Sequence, residues 1–126
     1  LFSSCSKREL HQVAQLCLPL SVEEGYALTT EGSSGKECFV VADGEAQVTI
    51  EGRPIGVVGP GECIGEMALL DPGPRTATVT ARTPMSLYVL STGEFQSLLG
   101  VSPAITRKIA ATLAGRLRSL GEDHPY

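Results

Sequence analysis

Histidines and paired cysteines, the usual ligands and bases of protein active sites, are scarce in this sequence. Its only two histidines, His11 and His124, lie near the two ends, and none of its four cysteines belongs to a C-x-x-C pair. A zinc site therefore has no recognisable ligand spacing, and a metal-dependent cupin would need clustered histidines and a carboxylate on strands. No serine or cysteine lies beside a plausible base for nucleophilic catalysis. We therefore expect a protein that is not an enzyme and that holds neither a metal nor a cofactor.

The sequence also lacks a basic excess and a long apolar run. Its formal net charge is −4 and its pI is about 5.1, which argues against direct nucleic-acid binding because such domains usually carry a basic surface. No apolar run approaches the roughly 18 residues of a membrane-spanning helix. Residues 1–4 show no basic region followed by an apolar one, so no signal peptide is predicted. We expect a cytoplasmic protein with free thiols, since a cysteine in an apolar stretch, such as Cys38, packs as a small hydrophobe.

The length of 126 residues suits one domain with a core of useful size, 1–126. The character of the sequence changes twice, which divides the chain into an N-terminal helical segment, 1–17, a β region, 18–91, and C-terminal helices, 92–120. In the β region short apolar runs alternate with Gly, Pro and Asp about every eight to twelve residues, as in an all-β sandwich or barrel. Because the chain starts without methionine, we expect it to be a piece of a longer protein.

Serine caps predict where the helices begin. Ser6 and Glu9 have the spacing of a capping box, Ser91 repeats that spacing at the end of the β region, and Ser102 precedes a proline at the first helical position. The first helix is expected to end near Cys17. The last helix carries one apolar stripe, which we expect to pack against the β region. The members of this stripe are Ile105, Ile109, Leu113, Leu117 and Leu120, and Gly121 is the predicted stop.

A segment inside the β region, 65–77, combines the features of an anion site with those of a sugar site. Gly65 and Glu66 can open a short helix, whose first N–H groups have no partner within the helix and attract negative charge. Arg75 follows a Pro-Gly-Pro break and offers a planar fork of donors that matches two phosphate oxygens. Glu66 would repel a phosphate but would accept hydrogen bonds from sugar hydroxyls. Together these features indicate a cyclic nucleotide, which carries a phosphate and a ribose hydroxyl in one compact ring.

Segment 65–77 resembles the phosphate-binding cassette of the cyclic nucleotide-binding domain family, which occurs in kinase regulatory subunits, cyclic nucleotide-gated channels and catabolite activator-type regulators. The family pattern is glycine-glutamate-any-alanine-leucine, a short spacer, then arginine, a small residue and alanine. The resemblance implies that Glu66 binds the ribose 2′-hydroxyl and that Arg75 binds the cyclic phosphate. It also implies phosphate contacts from backbone N–H groups near Met67, Ala68 and Thr76. The positions that fill the pattern are Gly65, Glu66, Ala68, Leu69, Arg75, Thr76 and Ala77.

The resemblance and the strand pattern predict the same mainly β fold. It is a β-roll, jelly-roll-like, of about eight strands, with a short N-terminal helix, a short cassette helix and two C-terminal helices. Alternation along Arg75–Arg82 places Arg75 on the face of Val79 and Ala81, toward the roll interior, where a bound phosphate would pair its charge. Thr76 should point the opposite way, so its backbone N–H is a safer phosphate ligand than its hydroxyl.

The predicted function is a regulatory module that binds cAMP or cGMP and moves its terminal helices to switch an effector domain or protein outside this chain. In the family a hydroxyl residue after the arginine, here Thr76, is often associated with cGMP, although bacterial members with such a residue bind cAMP. We favour cAMP, from the bacterial look of this compact chain. The predicted ligand-binding residues are Gly65, Glu66, Met67, Ala68, Arg75, Thr76 and Ala77.

The alternative is a scaffold that keeps the fold and binds no nucleotide. Glu66 could be a helix-favouring acid in a first turn, and Arg75 could form a surface ion pair with Glu66 or Asp71, an interaction that is usually worth little. The domain would then serve protein–protein interaction alone. The sequence leaves the oligomeric state and the identity of the effector open.

Overall fold

The computed structural model describes residues 2, 5–71 and 73–122. Four helices lie in these ranges: α1 (Lys7–Ala14), α2 (Met67–Leu70), α3 (Thr92–Val101) and α4 (Pro103–Glu122). Ten strands lie there as well: β1 (Leu18–Val22), β2 (Ala27–Thr29), β3 (Ser34–Gly35), β4 (Glu37–Asp43), β5 (Ala46–Ile50), β6 (Arg53–Val58), β7 (Cys63–Ile64), β8 (Gly73–Pro74), β9 (Thr78–Ala81) and β10 (Met85–Ser91). The strands form one block between α1 and α3 that is interrupted by α2.

The strands pair in antiparallel fashion. One four-stranded sheet has the order β1-β10-β4-β7, a second has the order β2-β9-β5-β6, and β3 pairs with β8. The mainly β fold class predicted from the sequence is confirmed. The strand count exceeds the expected one because β3, β7 and β8 have two residues each, too few to leave a hydrophobic pattern.

Strand β4 shows how alternation divides the interior into two cores. Phe39 and Val41 point into the roll, where they share a buried cluster with Val79 and Ala81 of the opposite sheet. Cys38, one residue earlier, points the other way and belongs to a second buried cluster, formed with the helices. The first sheet is therefore covered on both faces, by the second sheet and by the helices.

The second core joins the helices to one another through the first sheet. Leu69 of α2, Phe95 of α3 and Ile105 of α4 are each at most 2% exposed, as is Leu90 of β10, which packs among them. Helix α2 lies within the segment that carries the predicted ligand residues. That segment is therefore in direct contact with the C-terminal helices.

The helix starts that the serine caps predict are confirmed. Ser6 Oγ accepts a hydrogen bond from the Glu9 N–H at 3.2 Å, and the Ser6 N–H donates to Glu9 Oε1 at 2.9 Å. Ser91 Oγ accepts from the Glu94 N–H at 3.3 Å. Ser102 Oγ accepts from a backbone N–H in the first turn of α4 at 3.4 Å.

The predicted helix ends are less accurate. Helix α1 ends at Ala14, earlier than expected, and α4 continues through Gly121 to Glu122. The stop expected at Gly121 is wrong because a glycine inside a helix costs only about 1 kcal/mol relative to alanine, which a long helix tolerates.

The apolar stripe of α4 is buried in its first half only. Ile105 and Ile109 are at most 3% exposed, whereas Leu117 is 69% exposed. The side chain of Leu120 lies outside the described part of the chain. None of the described helices is both long and apolar enough to cross a membrane.

Candidate functional site

The segment 65–77 begins with a turn that requires glycine. After β7 the backbone of Gly65 has φ +75°, a left-handed conformation that other residues rarely adopt. A Cβ at this position would also lie 2.2 Å from Nη1 of Arg75. The turn leads into α2, where the N–H groups of Ala68 and Leu69 donate to the carbonyls of Gly65 and Glu66, both at 3.1 Å.

Helix α2 is held in place by apolar packing and by the hydroxyl of Thr92. Ala68 and Leu69 are 6% and 2% exposed, and Leu69 packs in the same cluster as Phe95. Thr92 Oγ1, at the start of α3, lies 3.2 Å from the Ala68 carbonyl oxygen and 2.7 Å from the Lys36 carbonyl oxygen. One side chain thus links α2, α3 and the start of β4.

Arg75 lies between β8 and β9, and its backbone is held by the turn that precedes β3. The Arg75 N–H donates to the Ser33 carbonyl at 2.8 Å, and the Gly32 N–H donates to the Arg75 carbonyl at 2.9 Å. These bonds hold Arg75 beside the turn at residues 31–33 and outside the strand ladder. Strand β9 therefore starts at Thr78, later than the sequence suggests.

The half-buried guanidinium of Arg75 rests on backbone carbonyls. Nη2 donates to the Glu37 carbonyl at 2.8 Å, and Nη1 lies 3.4 Å from the Gly65 carbonyl oxygen, a longer and weaker contact. A guanidinium has several N–H donors in a fixed fork, so these two contacts leave others for an anion. Lys36 lines the same cavity of about 180 Å³ as Arg75 and adds a second positive charge.

Burial along the residues that follow Arg75 agrees with the predicted alternation, and the buried positions lie in β9. Val79 and Ala81 are buried, 5% and 2% exposed. Ala77 is half-buried, and its carbonyl accepts a hydrogen bond from Thr29 Oγ1 at 3.0 Å. Thr76 lies in the bend and is exposed, so its hydroxyl faces away from the roll core.

Glu66 is half-buried, with its Oε2 atom shielded from solvent. It lines a largely apolar cavity of about 570 Å³ beneath α1, together with Val13, Cys17, Val40 and Cys63. Arg75 lines the smaller polar cavity described above. The two charged residues of the segment therefore line two different cavities.

Three thiols lie near the start of this segment. A hydrogen bond with Cys63, together with burial, raises the pKa of the Cys38 thiol far above its usual value, and the charge of Glu66 contributes in the same direction. Burial likewise raises the pKa of Cys17. Cys5, Cys17, Cys38 and Cys63 form no disulfide with one another. Because their raised pKa values keep the Cys17 and Cys38 thiols neutral near neutral pH, these two thiols add no negative charge beside Glu66.

Sequence reasoning missed the groups that surround Arg75 from other elements. Glu37 supplies the carbonyl, Gly35 supplies the space, and Thr92 links the neighbouring carbonyls. The glycine- and serine-rich turn before β4 is a visible signal in the sequence. It predicts a turn without showing that the turn contacts Arg75.

Comparison with known proteins decides the family. A model of the family described as cyclic nucleotide-binding domain matches residues 19–101, a range that includes the whole segment 65–77. The chain belongs to the cyclic nucleotide-binding domain family. The segment 65–77, whose sequence resembles the phosphate-binding cassette of this family, lies inside the matched range and is called the cassette below.

Relatives of this cyclic nucleotide-binding domain include regulatory and catalytic kinase chains. It is 37% identical over 102 residues to a cAMP-dependent protein kinase regulatory subunit of Yarrowia lipolytica, covering 79% of this chain and 27% of the relative. It is 34% identical over 93 residues to the cGMP-dependent protein kinase egl-4 of Caenorhabditis briggsae, covering 74% of this chain and 12% of the relative. The chain thus spans less than a third of the length of either relative.

A solved structure shows the same fold over nearly the whole cyclic nucleotide-binding domain. The N-terminal domain of a transcriptional regulator from Streptomyces coelicolor is 32% identical, with a TM-score of 0.89. The match covers 99% of this chain and 91% of that structure. The terminal helices are therefore part of the shared architecture together with the β-roll.

Proposed function

We propose that this domain binds a cyclic nucleotide, cAMP in preference to cGMP, at its phosphate-binding cassette, and that it acts as a regulatory module and not as a catalyst. The observation that carries the proposal is the placement of Arg75. Its guanidinium is half-buried beside Gly65, oriented by two backbone carbonyls and with donors left over. A half-buried cation that has N–H donors left over and lies beside a backbone turn is a suitable partner for a cyclic phosphate. The proposed ligand-binding residues are Gly65, Glu66, Met67, Ala68, Arg75, Thr76 and Ala77.

Each part of the cassette has a chemical role in this proposal. Arg75 binds two phosphate oxygens through its fork, and Glu66 accepts a hydrogen bond from the ribose 2′-hydroxyl. Backbone N–H groups at Met67 and Thr76 donate to the phosphate. The Ala68 N–H donates to the Gly65 carbonyl at 3.1 Å, so its phosphate contact requires that this bond be shared or replaced.

The preference for cAMP is supported by the relatives and opposed by one residue. The relative named for cAMP matches a longer stretch at higher identity than the relative named for cGMP, 102 residues at 37% against 93 residues at 34%. Thr76 is exposed, so its hydroxyl is available to a base. If the Thr76 hydroxyl contacts the guanine base, Thr76→Ala weakens cGMP binding and leaves cAMP binding unchanged.

Regulation follows from the contacts of α2. Leu69 packs with Phe95 of α3, and Thr92 joins α3 to the Ala68 carbonyl. A ligand that draws the cassette toward the phosphate therefore displaces the C-terminal helices, and it shifts their equilibrium only by its difference in affinity for the two arrangements. The effector in this proposal is a domain or protein outside this chain.

One observation favours a second candidate, the scaffold that binds no nucleotide. Glu66 and Arg75 line two different cavities, whereas a nucleotide bound as proposed contacts both. If the two cavities stay separate when nucleotide is present, no single ligand contacts both residues, and the domain acts through its surface alone.

Calorimetric titration of cAMP and of cGMP into the purified chain tests the proposal. We expect saturable binding, with cAMP tighter, and a loss of about 10- to 100-fold or more for Arg75→Ala, because hydrogen bonds to charged groups are among the strong ones. Glu66→Ala should also weaken binding. Arg82→Ala is the matched control: this arginine is exposed, and its Nε lies 3.9 Å from Glu45 Oε2, away from the cassette.

The outcomes separate the two candidates. Binding that Arg75→Ala weakens and Arg82→Ala leaves intact supports the cassette assignment. No binding of either nucleotide at about 1 mM, a very weak limit, would leave the scaffold as the function of this chain.

A further inference from the structure

Gly35, the second residue of β3, lies directly against the guanidinium of Arg75. It is buried, and its strand pairs with β8, which ends one residue before Arg75. A Cβ at Gly35 would lie 2.0 Å from Nε, 2.3 Å from Cζ and 2.7 Å from Cδ of Arg75. Non-bonded heavy atoms need about 3.5 Å. A side chain at position 35 would therefore occupy the place where the guanidinium lies.

The backbone of Gly35 does not itself require glycine. Its φ lies outside the left-handed region, unlike that of Gly65 at +75° and Gly44 at +93°. At Gly44 an added Cβ would meet the carbonyl oxygen of Pro84 at 2.4 Å, a conflict with the backbone. Among the described glycines with an ordinary φ, Gly35 is the one whose Cβ would approach another residue within 3.4 Å, and its three nearest atoms all belong to Arg75.

Other contacts of the guanidinium favour the place that it occupies beside position 35. Its Nη2 is bonded to the Glu37 carbonyl at 2.8 Å, and its Nη1 lies beside Gly65, where a Cβ would approach to 2.2 Å. Gly35 faces the Nε–Cζ part of the side chain, and Gly65 faces the Nη1 end. Two positions without side chains thus define the place of one charged group.

We propose that Gly35 is a positioning residue for nucleotide binding: by having no side chain, it leaves the space that holds the Arg75 guanidinium where the cyclic phosphate binds. This inference rests on the proposed function and adds to it a residue outside the cassette. Glycine is needed at position 35 for ligand binding and not for the backbone conformation. Gly35→Ala is therefore a substitution that moves Arg75 without altering Arg75.

A double-mutant cycle tests this role. We expect Gly35→Ala to weaken cAMP binding by about 10- to 100-fold, since it displaces the charged partner of the phosphate. In an Arg75→Ala background the same change should have an effect of about twofold or less, because the group that it displaces is gone. Gly56→Ala is the matched control: Gly56 also lies in a strand, its φ is ordinary, and its Cβ would meet nothing within 4 Å. It should leave binding unchanged.

Two results would overturn the inference. Affinity that is unchanged or higher in Gly35→Ala shows that position 35 does not place the guanidinium. Losses that add in the double variant show that Gly35 acts through another group. A purely structural role for Gly35 would give such additive losses, so the cycle distinguishes it from positioning.

Thermal unfolding of the same variants is the control that shows whether each of them folds. If Gly35→Ala fails to fold but Gly35→Ala with Arg75→Ala folds, the conflict between the two positions is shown by stability, and the inference stands. If neither folds, the Cβ meets a group other than Arg75, and the inference fails. The proposed function fails separately, through absence of nucleotide binding by the unmodified chain.

Discussion

At the scale of single residues, an aliphatic side chain is buried or exposed according to its place along α4. Ile105 and Leu117 both belong to the apolar stripe of α4, yet Ile105 is fully buried and Leu117 is 69% exposed. Ile105 packs in the cluster that contains Leu69 of the cassette. The stripe therefore stabilises the fold at its first turns and offers an apolar surface farther along.

Ile105→Ala should lower the free energy of unfolding by about 2–5 kcal/mol, because it removes buried methyl groups and leaves a cavity. Leu117→Ala, its control on the same stripe, should change stability by about 0.5 kcal/mol or less. Urea unfolding followed by circular dichroism measures both. Equal losses in the two variants would show that Leu117 is buried in solution.

At the scale of secondary-structure elements, the contact between α2 and α3 is the route by which, in the proposed function, the cassette would act on the C-terminal helices. It has an apolar part, Leu69 with Phe95, and a polar part, the Thr92 hydroxyl between the carbonyls of Ala68 and Lys36. The polar part is directional. It therefore fixes the register of α2 on α3, which apolar packing alone fixes less well.

Thr92→Val keeps the shape of the side chain and removes the hydroxyl. We expect it to lower stability by about 1 kcal/mol and to reduce the change in hydrogen exchange that cAMP produces in α3, because the link between the two helices is gone. Thr49→Val is the control, since its hydroxyl makes a weak bond of 3.4 Å to the Thr78 carbonyl within the second sheet. Full transmission to α3 in Thr92→Val would show that the apolar contact is sufficient.

At the scale of the whole molecule, the first and last of the described helices meet through an ion pair. Lys108 Nζ of α4 donates to Glu9 Oε1 of α1, and this hydrogen bond lowers the pKa of Glu9 below its ordinary value. A carboxylate with a lowered pKa stabilises the folded state above its unfolded-state pKa, and this contribution disappears as the pH falls through the folded-state pKa. The contact between α1 and α4 is therefore sensitive to acid.

Lys108→Met should destabilise the protein near neutral pH, and the difference from the unmodified chain should shrink as the pH falls through the lowered pKa of Glu9, because a protonated Glu9 no longer pairs with Lys108. Thermal unfolding across this pH range measures the difference. Lys7→Met, at the exposed start of α1, should show no such dependence. A difference that persists at low pH would assign the role of Lys108 to packing of its aliphatic stem.

The sequence predicted what depends on local signals and missed what depends on distant pairing. The serine caps at Ser6 and Ser91 depend on residues three positions away, and the cassette is a continuous sequence pattern. Both can therefore be recognised from the sequence alone. The contact of Gly35 with Arg75 exists because β3 pairs with β8, and two-residue strands carry no periodic signal. The direction of Glu66 toward the cavity beneath α1 is likewise decided by packing.

The carbonyl of Glu37 has a consequence for the thermodynamics of the proposed site. A free arginine side chain loses about 2 kcal/mol of rotamer entropy when it is immobilised. Because the Glu37 carbonyl already fixes Nη2 at 2.8 Å, most of this loss accompanies folding, and little remains for the moment when a phosphate arrives. Ligand affinity is thereby linked to the conformation of a peptide group 38 positions earlier in the chain. Heat that frays the start of β4 should weaken nucleotide binding before the roll itself unfolds.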